Sequence, residues 1–263
     1  MKQLLNTLYV VSQGAYIGKE SETVVVRVDR EVRLQLPILA LGSIVCFGQV
    51  SCSPALMHFC SERGVAISFL SEHGRFLAKV VGPVHGNVLL RRQQYRCADD
   101  DSGTKAIAVP IIAAKVMNGR TSILRALRDR PDAGGAEELR RAGGLLSALI
   151  AQLPACDSLD SARGIEGASA RAYFGVMDEM IVQQKDAFFF KERSRRPPLD
   201  NINALLSFVY TLVMHDVVAA LECVGLDPAV GFLHRDRPGR PSLALDLMEE
   251  LRTWLADRFV LSL

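Results

Sequence analysis

With 263 residues, 49% of them hydrophobic and 23% charged, the chain can bury one large core or two modest ones, which excludes global disorder. A formal net charge of +2 excludes a uniformly basic nucleic-acid binder, so any basic surface must be local. Cys46, Cys52, Cys60, Cys97, Cys156 and Cys223 form no C-x-x-C pair, which speaks against a zinc ribbon and predicts free thiols in a reducing cytoplasm. The start, Met1-Lys2-Gln3-Leu4-Leu5-Asn6, turns polar too soon for a signal peptide, and no apolar run approaches spanning length, so no membrane association is expected.

The first part, residues 1–95, reads as a β-rich domain. Thr7–Val11 and Thr23–Val28 are predicted strands, and Val32–Leu36 alternates apolar and polar with the period of a half-buried strand. Asp29-Arg30-Glu31 suits a turn between the last two. Ile44–Phe47 and Val65–Leu70 are further strands. Between them Ser53-Pro54 opens a short helix, with Ser at the N-cap, Pro at the first helical position and Gly64 as its stop. His73-Gly74 then turns into a strand over Arg75–Val81.

Composition shifts after Tyr95, and Asp99-Asp100-Asp101-Ser102-Gly103 reads as an acidic linker, placed at residues 96–103. Residues 104–263 read as a larger all-α domain, which makes the whole chain α+β. Helices are predicted over Ala106–Leu127, with a regular start near Pro110, then Leu139–Leu153 despite Gly143-Gly144, Ser161–Val182, Asn203–Leu221 and Leu243–Phe259. A break is placed at Asp132-Ala133-Gly134-Gly135.

Chemistry concentrates near the end of the chain. His234 closes an apolar run, a stiff loop carries Arg235, Arg237 and Arg240 among Pro238, Gly239 and Pro241, and Ser242 then starts a helix bearing Asp246, Glu249 and Glu250. His with carboxylates suits a divalent metal, and planar guanidinium groups suit phosphate oxygens. On that last helix Leu243, Leu247, Leu251, Trp254 and Leu255 form an apolar stripe expected to be buried, so the acids off the stripe have a plain alternative as a solvated face. The arginines beside them have one as an ion-pair network, and periodicity does not choose among the acids. His234 is favoured over His58, His73, His85 and His215 by its place next to this loop.

Two more segments stand out. Gly164 and Gly167 flank Glu166, and the small side chains after them let a backbone or ligand approach closely. The alternative is a carboxylate favoured by a helix N-terminus. Arg193-Ser194-Arg195-Arg196-Pro197-Pro198 is a second stiffened basic loop entering an apolar helix, which suggests one basic face shared with residues 235–240.

In this order, Gly164-Ile165-Glu166-Gly167, the Arg195-to-Ser207 segment with Asn203-Ala204-Leu205-Leu206-Ser207, and Gly231-Phe232-Leu233-His234 leading to Asp246-Leu247-Met248-Glu249 resemble the CRISPR-associated integrase family, the nuclease of spacer acquisition. Ala114-Lys115-Val116-Met117-Asn118 is similar to the family's Lys-x-x-Asn element. The 231–252 stretch looks most like members from type I-C systems. The resemblance implies a metal site of Glu166, His234 and Glu249, with Asp246 supporting and Mn²⁺ or Mg²⁺ as the ion. It implies insertion of foreign DNA into a CRISPR array by phosphodiester transesterification. The guanidinium groups of Arg195, Arg196, Arg235, Arg237 and Arg240, on the shared basic face, are expected to bind the DNA backbone. The resemblance also implies double-stranded spacer precursor and repeat DNA as substrates, a homodimer formed through the β-rich domain, and a smaller dimeric partner protein. Two departures are Val209 where Gly is common and an end at Leu263, soon after the last motif, which reads as a C-terminal truncation. The alternative class is a non-catalytic DNA-binding scaffold whose acids form structural ion pairs with arginines.

Overall fold

A computed structural model describes residues 6–82, 88–131 and 134–263. His85 and the Asp132-Ala133 part of the predicted break lie outside the described residues. The chain divides into two compact units, residues 1–87 with 222–225, and residues 88–221 with 226–263.

The first unit holds two sheets. One runs in the order β1 (Asn6–Val10), β5 (Leu41–Phe47), β7 (Ala66–Leu70), β8 (Phe76–Val80), parallel until its last pair. The other runs β4 (Glu31–Pro37), β3 (Thr23–Val28), β2 (Tyr16–Glu20), β6 (Ser51–Cys52). The predicted turn between β3 and β4 is present: Asp29 and Arg30 both take positive φ, 53° and 68°, as a tight two-residue hairpin requires. β4 departs from expectation. It is exposed along nearly its whole length because it is the sheet's edge, so its alternation does not mark a half-buried face. Helix α1 (Pro54–Glu62) has the expected cap, with Ser53 accepting from Leu56 N–H, and it ends at Gly64 at φ 68°. Val24, Ile44, Leu56, Phe59 and Ile67 centre this unit's core.

The second unit is helical, which makes the chain α+β as the sequence indicates. The acidic linker is a correction. Residues 88–98 form α2 (Val88–Ala98), and Asp100 caps α3 (Asp101–Asp129) by accepting from Gly103 N–H at 2.7 Å. Turn-forming residues there start a helix instead of separating domains, and the division between units falls at residues 87 and 88. Pro110 lies inside α3 and not at its start. The lost backbone bond is tolerated because Thr104, Ala108, Ile111 and Ile112 are buried on both sides of it.

Next along the chain come α4 (Ala136–Gln152), α5 (Leu159–Phe174), the short α6 (Met177–Met180) and α7 (Asn201–Cys223). α8 (Ser242–Leu251) runs into a π-helical turn, Arg252–Asp257, before α9 (Arg258–Ser262). The segment predicted as one helix over 243–259 is thus three pieces, and the predicted stripe holds only in its first part: Leu243 is buried and Leu247 and Leu251 are half-buried against the core. Trp254 and Leu255 are exposed, whereas Leu243, Ala244, Met248, Asp246 and Glu249 are buried. By length and composition α3 and α7 are apolar enough to cross a membrane, which modifies the expectation of no such segment. Ile112, Val116, Ile123, Leu206 and Val213 on them are buried in this unit's core, alongside Leu139, Leu146 and Met177.

Candidate metal and phosphodiester site

The site is built by α3, α5, α8 and the 231–241 segment, all within the second unit. Two polar clips fix their positions. Asn118 on α3 donates from Nδ2 to the Glu250 carbonyl on α8 at 2.9 Å. Arg163 on α5 donates from Nε and Nη2 to the Leu233 carbonyl at 2.9 and 2.7 Å. α5 starts cleanly because Ser158 accepts from Ser161 N–H, and this places Glu166 two turns in, too far for the helix N-terminus to explain it. Gly164 has open space where a side chain would stand, but two positions from Glu166 it lies on the other side of the helix and does not line the cavity.

Asp246 is fully buried and organises the His234 segment. Its Oδ2 accepts from Phe232 N–H at 2.6 Å and Leu233 N–H at 2.9 Å, and its Oδ1 accepts from His234 N–H at 2.9 Å. Oδ1 also lies 2.7 Å from His234 Nδ1. A carboxylate acceptor there sets the Nδ1–H tautomer and leaves the Nε2 lone pair facing Glu249, whose Oε1 is 3.9 Å away. With its lone pairs occupied, Asp246 orients His234 and does not itself face the cavity. Gly231 is required for this turn: a Cβ there would stand 2.8 Å from the Ser242 backbone carbon and 2.9 Å from Asp246 Oδ2.

Glu249 is buried between cations. Arg252 Nη1 donates to Oε1 at 2.5 Å, and Lys115 Nζ lies 2.5 Å from Oε2. The same ammonium pairs with Glu166 Oε1. Burial pushes the Glu249 carboxyl up, but Arg252 and Lys115 outweigh it and hold it below the usual carboxylate range. Deeper in, the Arg252 guanidinium lies 5.2 Å over the Tyr210 ring, and the Tyr210 hydroxyl donates to Asp257 Oδ1 at 2.5 Å. Burial pushes the Asp257 carboxyl up to about 6, against the opposing hydrogen bonds of Tyr210 and Tyr173 and the charges of Arg252 and Arg193.

These groups line one cavity of about 280 Å³ that also takes in Arg195 and Arg240. Glu166, His234 and Glu249 therefore all line the same cavity. Of the five arginines assigned to DNA, Arg195 and Arg240 reach this cavity, while Arg196, Arg235 and Arg237 are not among its lining residues. Arg235 instead pairs with Asp160 at 3.2 Å on the surface. Lys115, Arg252, Tyr210 and Asp257 escaped assignment from sequence. For Lys115 a signal existed in the Lys-x-x-Asn element, which now divides into a charge facing the acids and a clip to α8.

Residues 8–263 match the family described as CRISPR associated protein Cas1. The chain belongs to the Cas1 family. It is 53% identical over 263 residues to CRISPR-associated endonuclease Cas1 1 of Chlorobaculum tepidum, covering 100% of this chain and 77% of that protein. Among solved structures, a Cas1 protein from Thermotoga maritima superposes with a TM-score of 0.78 at 22% identity, over 98% of this chain and 78% of that one. A chain of a Cas6-RT-Cas1–Cas2 complex superposes with a TM-score of 0.79 at 23% identity, over 100% of this chain and 28% of that one. At these identities the structural matches establish the Cas1 fold.

Whether a divalent ion suits this site can be judged from the donors. Two carboxylates and an imidazole with an inward Nε2 are appropriate ligands for Mn²⁺ or Mg²⁺. The acids already enclose a cation, the Lys115 ammonium, so the position between them accepts positive charge. With Lys115 between them, no three His, Cys, Asp or Glu side chains among the described residues close on a common point. The donor set fits, and the lysine stands within it.

Proposed function

We propose that this Cas1-family chain is a divalent-metal-dependent DNA endonuclease and integrase that inserts foreign DNA into a CRISPR array. The observation that carries the reading is the convergence of Glu166, His234 and Glu249, from separate motifs, on one cavity shared with Arg195 and Arg240. Glu166, His234 and Glu249 would hold Mn²⁺ or Mg²⁺, with the imidazole favouring Mn²⁺. When bound, the ion supplies Lewis-acid polarisation of a phosphoryl oxygen and helps present the nucleophile. Arg195 and Arg240 hold phosphodiester oxygens. The Asp246 carboxylate keeps the His234 ring oriented. The nucleophile is the 3′-hydroxyl of incoming DNA in integration and water in cleavage.

Partnership with a second copy and with a smaller dimeric Cas2-type protein belongs to the same proposal, supported by the fold shared with a chain of a Cas1–Cas2 complex. A second reading, a DNA-binding scaffold without catalysis, draws on the Arg252–Glu249 and Lys115–Glu166 pairs. Mn²⁺-dependent cleavage of double-stranded DNA separates the two. Glu166→Gln, His234→Ala and Glu249→Gln should each abolish it while DNA retention persists. Full activity in any one of them removes that residue from the ligand set, and absence of metal-dependent cleavage in the parent chain favours the scaffold. Arg195→Ala and Arg240→Ala should each lower the salt slope of DNA binding by about one.

A further inference from the structure

Lys115 has no role in metal binding by Glu166, His234 and Glu249, yet its ammonium is at the centre of the acids. Its side chain is 15% exposed, and it contacts Glu166 and Glu249, which are 26% and 3% exposed. We propose that Lys115 is a displaceable internal counter-ion: it holds Glu166 and Glu249 together in the metal-free site and yields that position when a divalent ion binds. The inference rests on the proposed metal site.

Three observations support it. First, the two cations on Glu249 differ in how they are held. Arg252 is fixed at Oε1 and lies over Tyr210, itself anchored on Asp257. Lys115 sits 2.5 Å from Oε2 on a flexible four-carbon stem that carries a compact point charge, with no ring or further anchor beneath it among the contacts described. Second, the charges of Glu166 and Glu249 are matched by those of Lys115 and Arg252. A divalent ion added beside the ammonium would meet direct repulsion at close range, so binding requires the lysine to leave. The carboxylate oxygens it would vacate are Glu249 Oε2 and Glu166 Oε1, while Arg252 keeps Glu249 Oε1 in place. Third, Lys115 lines the same cavity as Arg195 and Arg240. Released from the acids, its ammonium is on the side where the phosphodiester would be held. The charge that stabilises the acids without metal is thereby transferred to DNA in its presence, which links metal occupancy to phosphate binding.

The test is Mn²⁺ titration of the intact protein, followed by the electron paramagnetic resonance of free Mn²⁺, for the parent, Lys115→Met, Lys115→Gln and Glu166→Gln. Lys115→Gln retains a hydrogen-bond donor should the buried Glu249 not tolerate Met. Removing the competing charge should tighten Mn²⁺ binding by about tenfold or more. In the unsubstituted protein, saturating Mn²⁺ should raise amine-reactive labelling of Lys115, read by peptide mass spectrometry, several-fold. Unchanged or weaker Mn²⁺ binding in the Lys115 variants, with binding by the parent still sensitive to Glu166→Gln, overturns the counter-ion role and leaves the metal site standing. Labelling that Mn²⁺ leaves unchanged or reduces also overturns it. No Mn²⁺ binding, or binding indifferent to Glu166→Gln, overturns the metal reading and this inference together.

Discussion

Replacing Asp246 by Asn should damage both stability and metal binding, and the size of the loss can be worked from its partners. The two carboxylate oxygens accept from Phe232, Leu233 and His234 N–H groups and from the His234 ring, all around a side chain with no exposure. An amide has one acceptor oxygen. With that oxygen at the Oδ1 position, the His234 contacts survive and the new NH₂ opposes the Phe232 and Leu233 donors. With it at Oδ2, those two survive and the NH₂ opposes the His234 backbone and drives the ring toward the other tautomer. Either orientation leaves about two buried donors unsatisfied, at roughly 1–3 kcal/mol each, so a loss of about 4 kcal/mol is expected. Urea denaturation at neutral pH measures it. Loss of the orienting carboxylate should also weaken Mn²⁺ affinity by roughly 10–100-fold. A stability loss under about 1 kcal/mol with Mn²⁺ affinity intact would refute the argument that Asp246 acts through His234.

Asp257 gives a pH dependence of opposite sense to an ordinary paired carboxylate. Its folded value of about 6 lies above the usual 3.8, so between those values the folded state binds more protons, and stability falls as pH rises through that window. The shift of about two units corresponds to roughly 3 kcal/mol. Asp257→Asn should flatten the profile between about pH 4 and 6, and a slope equal to the parent's would exclude Asp257 as its source. Gly231→Ala should cost about 1–3 kcal/mol in urea denaturation, because the backbone of Ser242 is in the way and has no side-chain freedom to move aside. An unaltered midpoint would show that the 231–242 turn is looser than this packing implies.

Local signals were legible where one residue's chemistry decides the backbone. Ser53-Pro54, Gly64 and the Asp29-Arg30 turn were readable for this reason. The same rules misled at Asp99-to-Gly103, since an Asp that suits a turn equally suits an N-cap, and only the packing of the helical run after it decides between them. Periodicity held for Leu243 and in part for Leu247 and Leu251, and failed at Trp254 and Leu255, inside the π-helical turn that breaks the 3.6-residue spacing. The inside face of α8 carries Asp246 and Glu249, whose burial is supported by partners on α3 and the 231–234 segment, far away in sequence. The acid, imidazole and acid of the candidate site came from resemblance in three motifs. Lys115, Arg252 and Asp257 were beyond reach because their significance lies in pairwise contacts that no spacing records.

The π-helical turn at Arg252–Asp257 sets the phase of everything after it. An α-helix advances about 100° per residue, so a turn wound one residue wider displaces all later side chains around the axis by that angle. It is the geometry left by a single-residue insertion into a regular helix. Arg252 at its start reaches Glu249, Asp257 at its end reaches Tyr210, and Val260 beyond it is buried in the core. Deleting one residue from this turn would restore a regular helix and still keep every one of these side chain types, yet aim those past the deletion elsewhere. Alignments of relatives that place a gap between residues 252 and 257 would therefore mark chains in which the floor of this cavity is built differently.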